Sequence, residues 1–115
     1  MTAPKDLPYT ISGRELVHEV DGLRVQVLSL SAGEKVPWHY HTEVGDIFIG
    51  LEGTTVIETR APRAHYELDL GEHCFVPAMT AHEVTGKDGR PCRFTIVQGI
   101  GAHDFHLVGG DAGTD

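Results

Sequence analysis

The sequence predicts an all-β domain, a sandwich or small barrel of closely spaced strands, and three observations lead there. Short apolar runs alternate with Gly, Pro and Asp punctuation through the whole middle of the chain. No segment of about a dozen residues carries a helical period. Turn residues recur at short intervals, at Glu52-Gly53, Ala61-Pro62-Arg63, Leu70-Gly71, Pro77-Ala78 and Lys87-Asp88-Gly89-Arg90-Pro91.

Taken in order, Leu23 to Leu30 (LRVQVLSL) reads as the first strand and ends in the turn Ser31-Ala32-Gly33. Val36 to His41, Asp46 to Leu51 and Thr54 to Thr59 follow, then His65 to Leu70, His73 to Val76, His82 to Thr85 and Arg93 to Gln98. Closely packed short strands of this kind build a sandwich or barrel rather than a layered α/β fold. The ends differ in composition. Residues 1–10 and 107–115 are rich in Pro, Gly, Asp, Thr and Ala and are expected to be mobile.

With 115 residues the chain has room for one domain, expected over 1–115 with its barrel at about 23–98. A 40% hydrophobic and 23% charged composition is that of an ordinary globular protein. Nine basic against 17 acidic residues leave a net charge of −8, which argues against nucleic acid or an anionic membrane surface as partner. No apolar run reaches membrane-spanning length, and the start lacks the basic-then-apolar pattern of a signal peptide, so a cytoplasmic location is expected. Cys74 and Cys92 lack thiolate metal-site spacing; Cys74 is expected in the core and Cys92 at a strand entry.

The chemistry concentrates in two stretches, GEKVPWHYHTEVGDIFIGLEG from Gly33 to Gly53 and GEHCFVPAMTAHEVTG from Gly71 to Gly86. His39 and His41, two residues apart on a strand, point to one side of the sheet and can share a metal through neutral imidazole nitrogens. A third histidine from a second hairpin, His82, and a nearby carboxylate would complete the set. Trp38 and Tyr40 alternate with the histidines and should face away from the ion, where they could meet a partner subunit. Phe48 shares a face with Asp46, and Phe94 and Ile96 share one with Gln98. Phe48 and Gln98 are candidates for a mostly apolar substrate pocket with Gln98 as its polar handle; Phe94 and Ile96 are expected as core. His18, His65 and His73 read as surface histidines, whereas His103 or His106 would turn inward only if the C-terminal segment folds over the barrel mouth.

These stretches resemble the two motifs of the cupin family. Gly33 is followed after five residues by His39 and His41, then after four by Asp46 and after six more by Gly53, with Asp standing where the family has Glu. Gly71 leads to Pro77, then to Met79 where glycine is usual, to His82, and to Gly86 where asparagine is usual. The resemblance implies a single-domain jelly-roll β-barrel with one metal near its mouth, held by His39, His41, Asp46 and His82. Glu43, two residues beyond His41, is the rival carboxylate. The shorter Asp46 could instead bind through water or act as a catalytic acid or base. Met79 could narrow the pocket or shift the loop. The resemblance also implies a homodimer.

Three imidazoles with or without a carboxylate suit Fe, Mn, Ni, Cu or Zn as divalent ion. Open coordination positions would admit a small oxygenated organic molecule. The expected function is therefore a metal-dependent enzyme, either a dioxygenase-like oxidoreductase or a lyase/isomerase. The alternative is a non-catalytic metal-containing module that binds or senses a small molecule.

Overall fold

The computed structural model describes residues 9–99, 101 and 103–108, and within them the backbone is almost entirely strand and turn. In chain order the strands are β1 (Gly13–Val20), β2 (Leu23–Leu30), β3 (Lys35–Tyr40), β4 (Asp46–Glu52), β5 (Thr55–Thr59), β6 (Ala64–Leu68), β7 (His73–Val76), β8 (His82–Gly86), β9 (Cys92–Gln98) and β10 (His106–Leu107). They form two antiparallel five-stranded sheets, ordered β1-β2-β9-β4-β7 and β10-β3-β8-β5-β6. This is the expected jelly roll.

Alternation explains how the strands close on one another. Along β8, His82, Val84 and Gly86 are buried and Glu83 and Thr85 less so; along β7, Cys74 and Val76 are buried while His73 and Phe75 face solvent. Between the sheets, Leu28, Leu30, Val36, Phe48, Ile57, Leu68, Val76, Val84 and Phe94 pack into one core. Gly86 permits a tight approach at the end of β8. A Cβ there would stand 1.7 Å from the Arg90 carbonyl oxygen, so asparagine would not fit this turn.

The paired region reaches beyond the expected range of 23–98. β1 pairs with β2 along its length, and β10 pairs with β3 through His106 opposite Tyr40 and Leu107 opposite His39. β1 escapes sequence reading because it is an edge strand with no fully buried residue, and a bulge between Leu16 and His18 breaks its alternation. Of the ends expected to be mobile, 1–8 and 109–115 lie outside the described residues, whereas Tyr9 stacks on Phe105 with ring centroids 5.4 Å apart. Cys74 and Cys92 are free and buried, and burial pushes the Cys74 thiol up to about 11. Among the described residues no helix is long and apolar enough to cross a membrane.

Candidate metal centre

His39 on β3 stands directly opposite His82 on β8, and His41 follows two residues after His39 on the same side. Asp46 opens β4 in the facing sheet, so the two sheets deliver the ligands from opposite walls of the barrel. One potential ligand atom from each of His39, His41, Asp46 and His82 lies within 4.8 Å of the others, and all four residues are buried. Glu43 is exposed on the loop after His41 and stands outside this group.

The imidazoles are oriented from behind. Nδ1 of His39 donates to the Pro37 carbonyl at 2.6 Å, Nδ1 of His82 to the Thr80 carbonyl at 2.8 Å, and Nδ1 of His41 to the Asp104 carbonyl. With the proton placed on Nδ1 by these carbonyls, each Nε2 presents a lone pair to the barrel interior. Asp46 Oδ2 lies 3.0 Å from His41 Nε2 and 3.2 Å from His82 Nε2. Its Oδ1 accepts a hydrogen bond from Gln98 Nε2 at 2.9 Å.

Converging lone pairs on a buried carboxylate need positive charge between them. A proton can supply it: Asp46 overcomes the opposing effect of burial to raise the pKa of His41, and despite its own burial the carboxyl is held well below the usual range by His41 and His82. His39 is driven the other way, by burial first and then by the charges of His82 and His41. A divalent ion would supply the charge more completely. Ligand atoms about 2.1 Å from one ion and at right angles stand roughly 3.0 Å apart, the spacing found between Asp46 and the two imidazoles. The donor set fits a transition ion of the Fe, Mn, Ni, Cu or Zn group, and the carbonyls that accept from each Nδ1 are the outer partners such ligands require.

Beside the ligands lies a cavity of about 120 Å³ whose wall includes Phe48, Ile96 and Gln98. Phe48 lies 5.8 Å from His82 between ring centroids and belongs equally to the core. The C-terminal segment folds over the mouth. Phe105 stacks on His39 at 4.2 Å, Asp104 bonds to the Thr42 hydroxyl and, at 2.9 Å, to the Thr42 N–H, and His103 reaches the Gly99 carbonyl at 3.2 Å. His106 stays outside, stacked on Tyr40 at 5.0 Å. Trp38 also faces outward, covered by the Arg60 guanidinium 3.9 Å from its ring centre. His18, His65 and His73 are exposed. Met79 does not narrow the cavity; it adopts φ 64° with its side chain 65% exposed, and its N–H bonds to the His41 carbonyl at 2.7 Å.

Sequence reading missed several cavity residues, Tyr9, Arg14, Arg24 and Phe105 among them. Arg24 left a signal, because period two puts it on the face of Leu28 and Leu30, where a charge is out of place. Tyr9 and Phe105 come from distant ends of the chain and carry no local signature.

A search of protein-family models finds none that matches the chain, and a search of curated proteins finds no match either. Solved structures do match. A cupin-2 domain protein from Shewanella frigidimarina superposes with a TM-score of 0.64 at 20% identity, over 78% of this chain and 82% of that one. An uncharacterised double-stranded β-helix protein from Klebsiella pneumoniae gives 0.67 at 20% identity, over 82% and 81%. The DMSP lyase DddQ from Ruegeria pomeroyi gives 0.71 at 20% identity; the match covers 84% of this chain but only 51% of the lyase. The chain thus has the cupin fold, the double-stranded β-helix barrel, with a buried three-histidine, one-aspartate cluster that could hold a metal.

Proposed function

We propose that this protein is a metal-dependent enzyme acting on a small oxygenated organic molecule, with His39, His41, His82 and Asp46 holding one divalent transition ion. The observation that carries the reading is the convergence of imidazole Nε2 atoms on Asp46 while every Nδ1 is committed to a backbone carbonyl. When bound, such an ion supplies Lewis-acid polarisation of an oxygen donor and, for iron or copper, access to dioxygen chemistry.

The remaining roles belong to the chain. Asp46 enters as the fourth ligand through Oδ2, while Gln98 fixes Oδ1. If Asp46 instead moves a proton, the carboxylate oxygen left off the ion would carry it, with Gln98 holding Oδ1 in place. Phe48 and Phe105 exclude water from the cavity, and Gln98 presents its polar edge beside the ligands. The structural likeness to DMSP lyases makes elimination the first reaction to assay, with isomerisation and oxygenation next. Homodimerisation and a cytoplasmic location remain part of the proposal; in the former, the outer face around Trp38 and Tyr40 would meet a second copy.

The test is a turnover screen by proton NMR. Metal-reconstituted protein is incubated with a panel of small hydroxy, keto and carboxylic acids, and His82→Ala serves as control. Consumption of a panel member that needs both metal and His82 supports the proposal. A compound that raises the melting temperature yet is never consumed, with no other turnover, favours the sensing module instead.

A further inference from the structure

On the sheet that carries Asp46, the cavity wall holds two arginines that the metal reading does not use, Arg14 and Arg24. Arg24 is only 8% exposed, an expensive position for a cation. It stands directly across β9 from Asp46, because Arg24, Gln98 and Asp46 are register partners on β2, β9 and β4. Arg24 Nε donates to Gln98 Oε1 at 3.2 Å, and Gln98 passes its own amide on to Asp46. That accounts for one of the five N–H donors of the guanidinium. Among the described residues neither Arg24 nor Arg14 has a carboxylate within ion-pair distance, and Glu19, opposite Arg24 on β1, stands beyond that reach.

Arg14 adds a second positive charge and is held in place by it. It donates to Gln26 Oε1 at 3.0 Å and to the Tyr9 hydroxyl at 2.7 Å, with its guanidinium 5.5 Å from the Tyr9 ring centre. Because Tyr9 accepts this bond, its own O–H is directed elsewhere. A chain of net charge −8 therefore places on the wall of one small cavity two guanidinium groups that no carboxylate among the described residues meets at ion-pair distance. Buried cations are retained where something pairs with them, and a bidentate carboxylate is the natural partner of a guanidinium fork.

We infer that the ligand of this cavity is a small carboxylate that bridges the site, its carboxylate on Arg24 and a second oxygen donor at the ion held by His39, His41, His82 and Asp46. The inference rests on the metal reading and narrows it to a substrate class: short hydroxy acids, keto acids or dicarboxylates. Arg24 and Asp46 lie two strand spacings apart, roughly 10 Å between Cα atoms, which leaves between their side chains the span of a few carbons. Arg14 and Tyr9 contribute the charge and the hydroxyl beside the carboxylate end.

The experiment uses the cobalt(II)-loaded protein, whose visible absorption reports on ligands at the metal. Succinate is the probe and 1,4-butanediol its uncharged counterpart of equal carbon number. Succinate is expected to perturb the spectrum saturably and the diol not to. Arg24→Gln should weaken succinate roughly 10- to 100-fold at unchanged cobalt stoichiometry, and Arg24→Lys should recover part of the loss. Circular dichroism establishes that both variants fold, and Arg14→Gln provides a second removal of charge if Arg24→Gln does not. One equivalent of cobalt bound, with succinate and diol indistinguishable or the arginine variants unaffected, overturns the bridging carboxylate and leaves the metal reading standing. No cobalt bound overturns the metal reading, and the bridge with it.

Discussion

Gln98 donates its side-chain amide to Asp46 Oδ1 at 2.9 Å from the directly opposed position on the neighbouring strand. The carboxylate is thereby fixed with Oδ2 turned toward His41 and His82. Removing such an outer partner commonly costs 10- to 100-fold in metal affinity. Gln98→Leu should therefore weaken metal binding by roughly that factor, and should also destabilise the metal-free protein by about 1–3 kcal/mol, because Asp46 Oδ1 and Arg24 Nε lose their buried partner. Competition titration against a chelator of known affinity measures it; unchanged affinity would show that Asp46 is held by other means.

His41→Ala should lose most of its metal yet remain folded, since the proposed ion site lies inside a barrel whose core of Leu28, Phe48, Ile57 and Phe94 packs without it. Metal analysis together with a thermal melt decides this. Unfolding of the variant would make the site structural.

A pH dependence follows from the same pair. Contact with Asp46 raises the His41 pKa in the metal-free fold above its ordinary value of 6.5. A raised basic group contributes stability that is complete below the unfolded value and is lost as pH rises through the folded one. The stability advantage of chelated wild type over His41→Ala should therefore be largest below pH 6.5 and shrink above it. Metal affinity should run the opposite way, rising with pH as the competing proton leaves. Parallel melts and metal titrations across this range check both slopes, and a flat difference between the chelated proteins would remove the proton from His41.

Asp46→Asn separates the two roles of the carboxylate. If Asp46 ligates through Oδ2, metal content and activity should fall together. Full metal content with activity reduced a hundredfold or more would instead identify a proton carrier, in line with the usual contribution of general acid–base groups, about 10²–10⁴-fold.

Phe48 serves the core and the cavity at once, 1% exposed and against both Phe94 and His82. Phe48→Ala should cost about 3–5 kcal/mol, the range for emptying a buried aromatic site. Phe48→Leu should cost far less and leave metal content intact. Denaturant unfolding of the metal-free proteins tests the pair, and a cost under about 1 kcal/mol for the alanine variant would mean the barrel collapses around the gap.

Much of this architecture was legible in the sequence because alternation and turn chemistry are local. β2 and β7 begin and end where LRVQVLSL and HCFV do. The resemblance to the cupin motifs names His39, His41, Asp46 and His82, and these four side chains lie together, with Glu43 outside the group. What escaped was tertiary. β1 hides behind a bulge on a solvent-facing edge, Phe105 reaches His39 from 66 positions along the chain only through the fold-back of the last segment, and the backbone carbonyls that fix the imidazole tautomers leave no trace in side-chain identity. Met79 does not narrow the pocket for a simpler reason: at φ 64° its side chain leaves the barrel rather than entering it.

The measurement that bears most directly on the central claim is elemental analysis of untagged protein purified without chelator, beside a His39→Ala His41→Ala double variant. Close to one equivalent of a single transition metal per wild-type chain, absent from the double variant, is the predicted result. Wild-type protein that contains no metal and takes up none on reconstitution would contradict the account, leaving a cupin-fold barrel whose buried histidines serve another end.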